Sequence, residues 1–81
     1  MNLIGSMNAV GNVELPMILD GRLTSQQMRT RAMNLLDQVG MSDRATSLPS
    51  QLSGGEQQRV NTAIFSFLSI LLNLEFEAGR K

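Results

Sequence analysis

Between Val60 and Leu74 the chain is almost wholly apolar, and its few polar residues are ordered. Val60, Ala63, Ile64, Phe65, Phe67, Leu68, Ile70, Leu71, Leu72 and Leu74 crowd the stretch, while Thr62, Ser66, Ser69 and Asn73 recur at spacings of 4, 3 and 4. That period puts the four polar side chains on one narrow stripe of an α-helix. A helix apolar around most of its circumference wants burial on several sides. The 81 residues leave room for only two short helices upstream, which can cover part of that surface. A partner or a further domain is therefore expected, with self-association through residues 60–74 one way to supply it. The most apolar part, Ala63 to Leu74, falls short of the roughly 20 residues a membrane span needs, and reads as a buried helix. The start, Met1-Asn2-Leu3-Ile4-Gly5-Ser6, has neither the basic region nor the apolar run of a signal peptide. The expectation is a cytoplasmic chain.

Composition narrows the chemistry. The chain has no Cys and no His, which removes disulfides, thiolate or imidazole metal sites, and Cys–His or Ser–His nucleophiles. Its 7 Lys+Arg balance 7 Asp+Glu, without the basic excess of an electrostatic nucleic-acid binder. Three Phe with no Trp or Tyr make no base-stacking platform. The only lysine is Lys81, the last residue, so chemistry that needs an internal lysine is excluded.

Four segments precede or contain that apolar run. Asn8 to Asp20 has helical apolar content, but Gly11 and Pro16 make it the least regular segment expected, since proline kinks or breaks a helix interior. Asp20-Gly21 marks a turn. Thr24 to Val39 is the best-defined helix: Thr24 and Gln27 have capping-box spacing, and Gly40 sits where a left-handed C-terminal residue belongs. Met28, Ala32, Leu35, Leu36 and Val39 form its apolar face. A loop from Met41 to Leu52 is expected, with one helical turn at Ser42 to Ala45 and Pro49 barring a longer helix. The last helix starts at Ser53, which pairs with Glu56 as a second capping box. Met28, Met33 and Met41 read as core filler, and Arg29 and Arg31 as solvated helix-face charges. Glu75 and Glu77, two residues apart, face different sides of a helix and make no carboxylate pair.

The informative run is Leu52-Ser53-Gly54-Gly55-Glu56-Gln57-Gln58-Arg59-Val60. Two glycines directly after an N-cap serine strip the first helical turn of side chains. Its N–H groups then face outward at the positive end of the helix dipole. A phosphate can approach closely there and accept from Ser53, Gly54 and Gly55. Glu56 would repel a phosphate and is expected to fold back onto the Ser53 N–H.

The whole run resembles the signature motif of ATP-binding-cassette (ABC) transporter ATPases. Asn2-Leu3-Ile4 and Asn12-Val13-Glu14-Leu15-Pro16 look like the segment after that family's Q-loop. Leu35 to Arg44 looks like its helix before the signature, and Leu48-Pro49-Ser50-Gln51 like the lead-in. The pattern is similar to the lipoprotein-release and macrolide-export type. The resemblance implies an all-α fold of three to four helices equivalent to the family's helical subdomain. Residues 1–60 would form a partial subdomain ending in the signature, and 61–81 a divergent apolar helix and tail, with the departure beginning at Asn61. It implies ATP, as Mg-ATP in the context of a complete partner domain, contacted by Ser53, Gly54, Gly55 and Gln57 across a dimer interface. Gln57 and Gln58 are further expected to order the loop, and Arg59 to support the helix. Implied partners are a second nucleotide-binding domain and the transporter's membrane subunits, at the cytoplasmic face of the membrane. The Walker A lysine, the Q-loop glutamine, the Walker B aspartate and the switch histidine have no counterpart, so no catalytic residue is assigned and no activity of the chain alone is expected. The alternative is a small helical interaction module carrying a relic motif.

Overall fold

The computed structural model describes residues 2–79, the side chains of 75–78 excepted. Three α-helices, α1 (Ala9–Asp20), α2 (Ser25–Gln38) and α3 (Gly54–Gly79), pack on one another. Two 3₁₀ turns, Ser42–Arg44 and Pro49–Gln51, shape the connection between α2 and α3. Among the described residues there is no strand, so the architecture is all-α, as expected.

Local chemistry sets each boundary. Asn8 caps α1 through its side-chain oxygen, which accepts from the Gly11 N–H at 2.8 Å. Gly21 closes the helix at φ 80°, its N–H donating to the Met17 carbonyl, a conformation in which a Cβ is penalised. The α2 capping box forms as read from the sequence: Gln27 N–H donates to Thr24 Oγ1 at 3.1 Å, and Thr24 N–H to Gln27 Oε1 at 2.9 Å. Gly40 follows at φ 72°.

The helix expected over Asn8 to Asp20 is present, and it continues through Pro16 without ending there. The cause lies in what holds the helix from outside. Asn12, the residue whose carbonyl loses its partner at Pro16, is itself buried, and its side chain fastens the N-terminal segment. Asn12 Nδ2 donates to the carbonyls of Ile4, Met7 and Asn8 at 3.1–3.2 Å, and Oδ1 accepts from the Ile4 N–H at 2.7 Å. Val10, Val13 and Met17 on the same helix are buried in the core. With both ends capped and one face packed, the loss of one backbone bond is absorbed.

The core draws Val10, Val13 and Met17 from α1, Ala32, Leu35 and Leu36 from α2, Met41, Ala45 and Leu52 from the connection, and Val60, Ala63, Ile64 and Phe67 from α3. Met41 is fully buried while Met28 and Met33 pack half-buried against the core, which agrees with their reading as filler. Beyond Phe67 the cover thins: Leu71 still packs half-buried against the core, while Leu72 is 71% and Leu74 53% exposed. The polar stripe is exposed or half-buried, and its hydroxyls bond back into the helix, Thr62 to the Gln58 carbonyl and Ser66 to the Thr62 carbonyl. Two upstream helices thus cover one face of the first half of α3. The side chains of Glu75 and Glu77, and Lys81 as a whole, lie outside the described residues. No helix among the described residues is long and apolar enough to cross a membrane.

Leu36 is fully buried. Leu36→Ala should cost about 2–5 kcal/mol, read as a lower midpoint in urea unfolding followed by circular dichroism. An unchanged midpoint would place Leu36 outside the core.

Candidate functional site

The start of α3 is built by reciprocal capping. Glu56 N–H donates to Ser53 Oγ at 3.1 Å, and Ser53 N–H donates to Glu56 Oε1 at 2.9 Å. Gln57 N–H donates to the Ser53 carbonyl at 2.9 Å, the first bond of the helix. Ser53 is therefore the N-cap, and Glu56 folds back as its residue type and spacing require. Holding a bond from the Ser53 N–H, with smaller contributions from the Arg44 and Arg59 charges against partial desolvation, Glu56 keeps its carboxyl below its ordinary value.

This arrangement sorts the polar groups at the helix start. The Ser53 amide is taken by Glu56. The Gly54 and Gly55 N–H groups, the first two of the helix, have no carbonyl one turn behind them. Both glycines are exposed, and a Cβ built on either meets nothing within 4 Å. The Ser53 hydroxyl oxygen accepts from the Glu56 N–H, and the hydroxyl also helps to stabilise the Glu56 carboxylate. The two glycine amides stand at the positive end of the dipole beside an open surface. They suit a tetrahedral oxyanion such as phosphate.

The loop leading into this point is fixed by side chains. Gln57 Nε2 donates to the Pro49 carbonyl at 2.9 Å and to the Leu52 carbonyl at 3.4 Å, so the amide of Gln57 orders the loop, as one of its two expected roles requires. Gln58 and Arg59 are exposed. The 3₁₀ turn at Pro49–Gln51, which sequence reading missed, closes with Gln51 Oε1 accepting from the Leu48 N–H at 2.8 Å.

Arg44 was also missed as a site residue. Its Nη2 donates to the Gln51 carbonyl at 2.6 Å, its Nε to Ser47 Oγ at 3.1 Å, and its Nη1 lies 3.9 Å from Glu56 Oε2. A lone arginine between a helix end and a Pro/Ser/Gln loop gives no periodic signal, and only the folded loop shows what it ties together. Arg29 is solvated on the face of α2, as expected, and is in addition paired with Glu14 of α1, Nε to Oε2 at 2.9 Å and Nη2 to Oε1 at 3.3 Å. Its side chain remains 61% exposed, so the pair is worth about 0–1 kcal/mol. Arg31 is exposed, as expected.

The three-helix body presents a glycine-rich helix start to solvent, as the resemblance to the helical subdomain of ABC ATP-binding domains implies. Comparison with known proteins leads to the same place. No family model matches the chain. Over 62 residues, 76% of its length, it is 58% identical to ABC transporter H family member 2 of Dictyostelium discoideum, of which it covers 12%. It is 48% identical over 61 residues to the lipoprotein-releasing system ATP-binding protein LolD 1 of Chlorobium chlorochromatii, covering 75% of the chain and 25% of that protein. Macrolide export ATP-binding/permease proteins are similar over the same share of the chain. Among solved structures, the dimeric ATP-binding cassette MJ0796, in a post-hydrolysis state bound to ADP and Pi, superposes with a TM-score of 0.72 at 41% identity, over 78% of this chain and 28% of that one. Over the matched three quarters of its length, the chain is homologous to ABC transporter ATP-binding proteins. It spans only 12% and 25% of the length of the first two relatives.

Ser53→Ala should destabilise α3 by about 0.5–2 kcal/mol, the usual cost of an N-cap, measured by thermal unfolding. Unchanged stability would refute the capping role. The contribution of Glu56 has a defined pH window. Its folded pKa lies below its unfolded value, so its stabilisation is complete above the ordinary 4.5 and is lost as pH falls through the folded value. The stability difference between the native chain and Glu56→Gln should shrink as pH drops below about 4.5. A difference that is flat across that range would mean the Glu56 charge contributes nothing to the cap.

Proposed function

We propose that the chain is the signature-bearing part of an ABC transporter ATP-binding subunit, and that its α3 start contacts the γ-phosphate of ATP held by a second nucleotide-binding domain. The observation that carries this reading is the pair of glycine amides beside Ser53, on an open surface while Glu56 is turned away onto the Ser53 amide. Donors fixed before the ligand arrives act by position and electrostatics, without covalent chemistry. Gln57 takes part at the same site by holding the lead-in loop through Pro49 and Leu52, and Arg59 supports the helix. Residues 1–60 form the partial subdomain and 61–81 a divergent apolar helix and tail.

ATP, as its magnesium complex, supplies the phosphoryl group that hydrolysis transfers. This chain's residues contribute donors to its outermost phosphate and exclude water from one side of it. They include no phosphate-holding lysine and no residue assigned to bind metal or activate water. The chain alone therefore hydrolyses nothing, and works only against a complete partner domain at the cytoplasmic face of a membrane, with the transporter's membrane subunits. A stand-alone helical module with a relic motif is disfavoured, because the similarity runs over 62 residues, far beyond the nine-residue motif.

The purified chain with Mg²⁺ and ATP should release no phosphate; turnover that survives repurification and is lost in Ser53→Ala would overturn this. A chimera tests the positive claim. Residues 2–60 should replace the matching segment of a complete bacterial relative with retained ATPase activity. Within it, Gly55→Leu should fold normally, since the site is open and leucine favours helix. Its turnover should fall by about 10²-fold or more, the scale for losing a transition-state donor. Full turnover with Leu at 55 would refute phosphate contact at this helix start.

A further inference from the structure

The α3 start carries a carboxylate in its first turn. With a helix pitch of about 5.4 Å, Glu56 stands well inside the ~8 Å over which salt screens a charge. It therefore opposes any anion that comes to the Gly54 and Gly55 amides. The cap does not need that charge, because a glutamine at the same place in a capping box also accepts from the N-cap amide. The acid burdens an anion site unless a cation stands beside it.

Arg44 is placed to be that cation. It ends the first 3₁₀ turn, and the loop grips its guanidinium on two sides, Nε on Ser47 Oγ at 3.1 Å and Nη2 on the Gln51 carbonyl at 2.6 Å. Ser47 is itself anchored, since its carbonyl accepts from the Ala9 N–H at the buried start of α1. Those bonds leave Nη1 3.9 Å from Glu56 Oε2. That separation is too long for a hydrogen bond, and Glu56 is already oriented by the Ser53 amide. What Arg44 adds at Glu56 is charge, fixed before a ligand arrives. A planar fork can face all these acceptors at once, whereas the compact ammonium of a lysine cannot. The Ser53 N–H bond does most to hold the Glu56 carboxyl below its ordinary value, and of the two cations that add to it Arg44 acts more strongly than Arg59. The pair is partly solvated, with side chains 40% and 25% exposed, so it adds little to stability. Its effect lies in the field at the helix start.

We propose that Arg44 is the positioning residue that opens the α3 start to a phosphate: it balances Glu56, so that an incoming phosphate meets the two glycine amides without a net negative charge beside them. This role rests on the phosphate contact proposed above, and Arg44 acts in it through Glu56.

Turnover of the chimera that carries residues 2–60 tests the role. Arg44→Met removes the charge from a side chain of similar reach, and water can replace the guanidinium at the Gln51 carbonyl, where the bond is exposed. Turnover should fall about tenfold or more, the scale of one charge contact left unbalanced. Adding Glu56→Gln to Arg44→Met should restore most of that loss, because glutamine keeps the cap and removes the repulsion. If Arg44 only held the loop, no change at residue 56 would rescue its loss. Unchanged turnover in Arg44→Met, or a loss that Glu56→Gln does not restore, would overturn the proposal. Full turnover in Gly55→Leu would instead count against the phosphate contact itself, which separates the two failures. The 81-residue chain gives a readout that needs no partner: the Glu56 carboxyl, followed by NMR, should titrate at higher pH in Arg44→Met than in the native chain. A midpoint that does not move would also overturn the role of Arg44.

Discussion

The start of α1 is buried, and the rest of the molecule follows from how its amides are satisfied. Ala9 and Val10 are almost wholly inaccessible, yet as first-turn residues they have N–H groups with no helical carbonyl to bond. Leaving such donors unpaired in an apolar interior costs about 1–3 kcal/mol each. The chain meets this with the connection between α2 and α3: Ala9 N–H donates to the Ser47 carbonyl and Val10 N–H to the Ala45 carbonyl, both at 2.9 Å. A loop that must deliver two carbonyls to a buried helix end cannot wander. It is then tightened at its second half, by Arg44 onto Gln51 and by Gln57 onto Pro49. The glycine-rich start of α3 inherits its position from that chain of bonds.

Electrostatics at the α3 start present an apparent contradiction, a carboxylate beside a surface suited to an anion. The contradiction dissolves in the geometry. Glu56 spends one oxygen on the Ser53 amide and turns the other toward Arg44, so its charge is shared with a backbone donor and a guanidinium. Both glycine amides stay outside that exchange. The capping carboxylate consumes one donor and in return fixes the helix start.

What could be read from the sequence was the chemistry that acts within a few residues. Both capping boxes, the turn at Asp20-Gly21, the left-handed Gly40, the face of α2 and a helical turn within Ser42 to Ala45 follow from local spacing, and all are present. Features set by distant contacts were not legible. Pro16 argued for a break in α1, but the burial of Val13 and Met17 and the caps at Asn8 and Gly21 decide otherwise. Arg29 read as solvated because its partner, Glu14, stands on another helix, and Arg44 gave no sign because its acceptors are backbone carbonyls of a loop. At the candidate site the helix start itself was legible, since the Ser53–Glu56 cap is made by residues three apart. Its supports were not.

The two halves of α3 obey different constraints. Its first half carries Val60, Ala63, Ile64 and Phe67 into a core that α1 and α2 complete, and no residue of that face is left open. Its second half still seats Leu71 against the core but leaves Leu72 and Leu74 exposed. Along the polar stripe the hydroxyls of Thr62 and Ser66 bond back to helix carbonyls. Each large apolar side chain left in water forgoes about 1.5–3 kcal/mol. One end of the helix is thus committed to the loop that positions Ser53, while the other keeps apolar side chains in solvent.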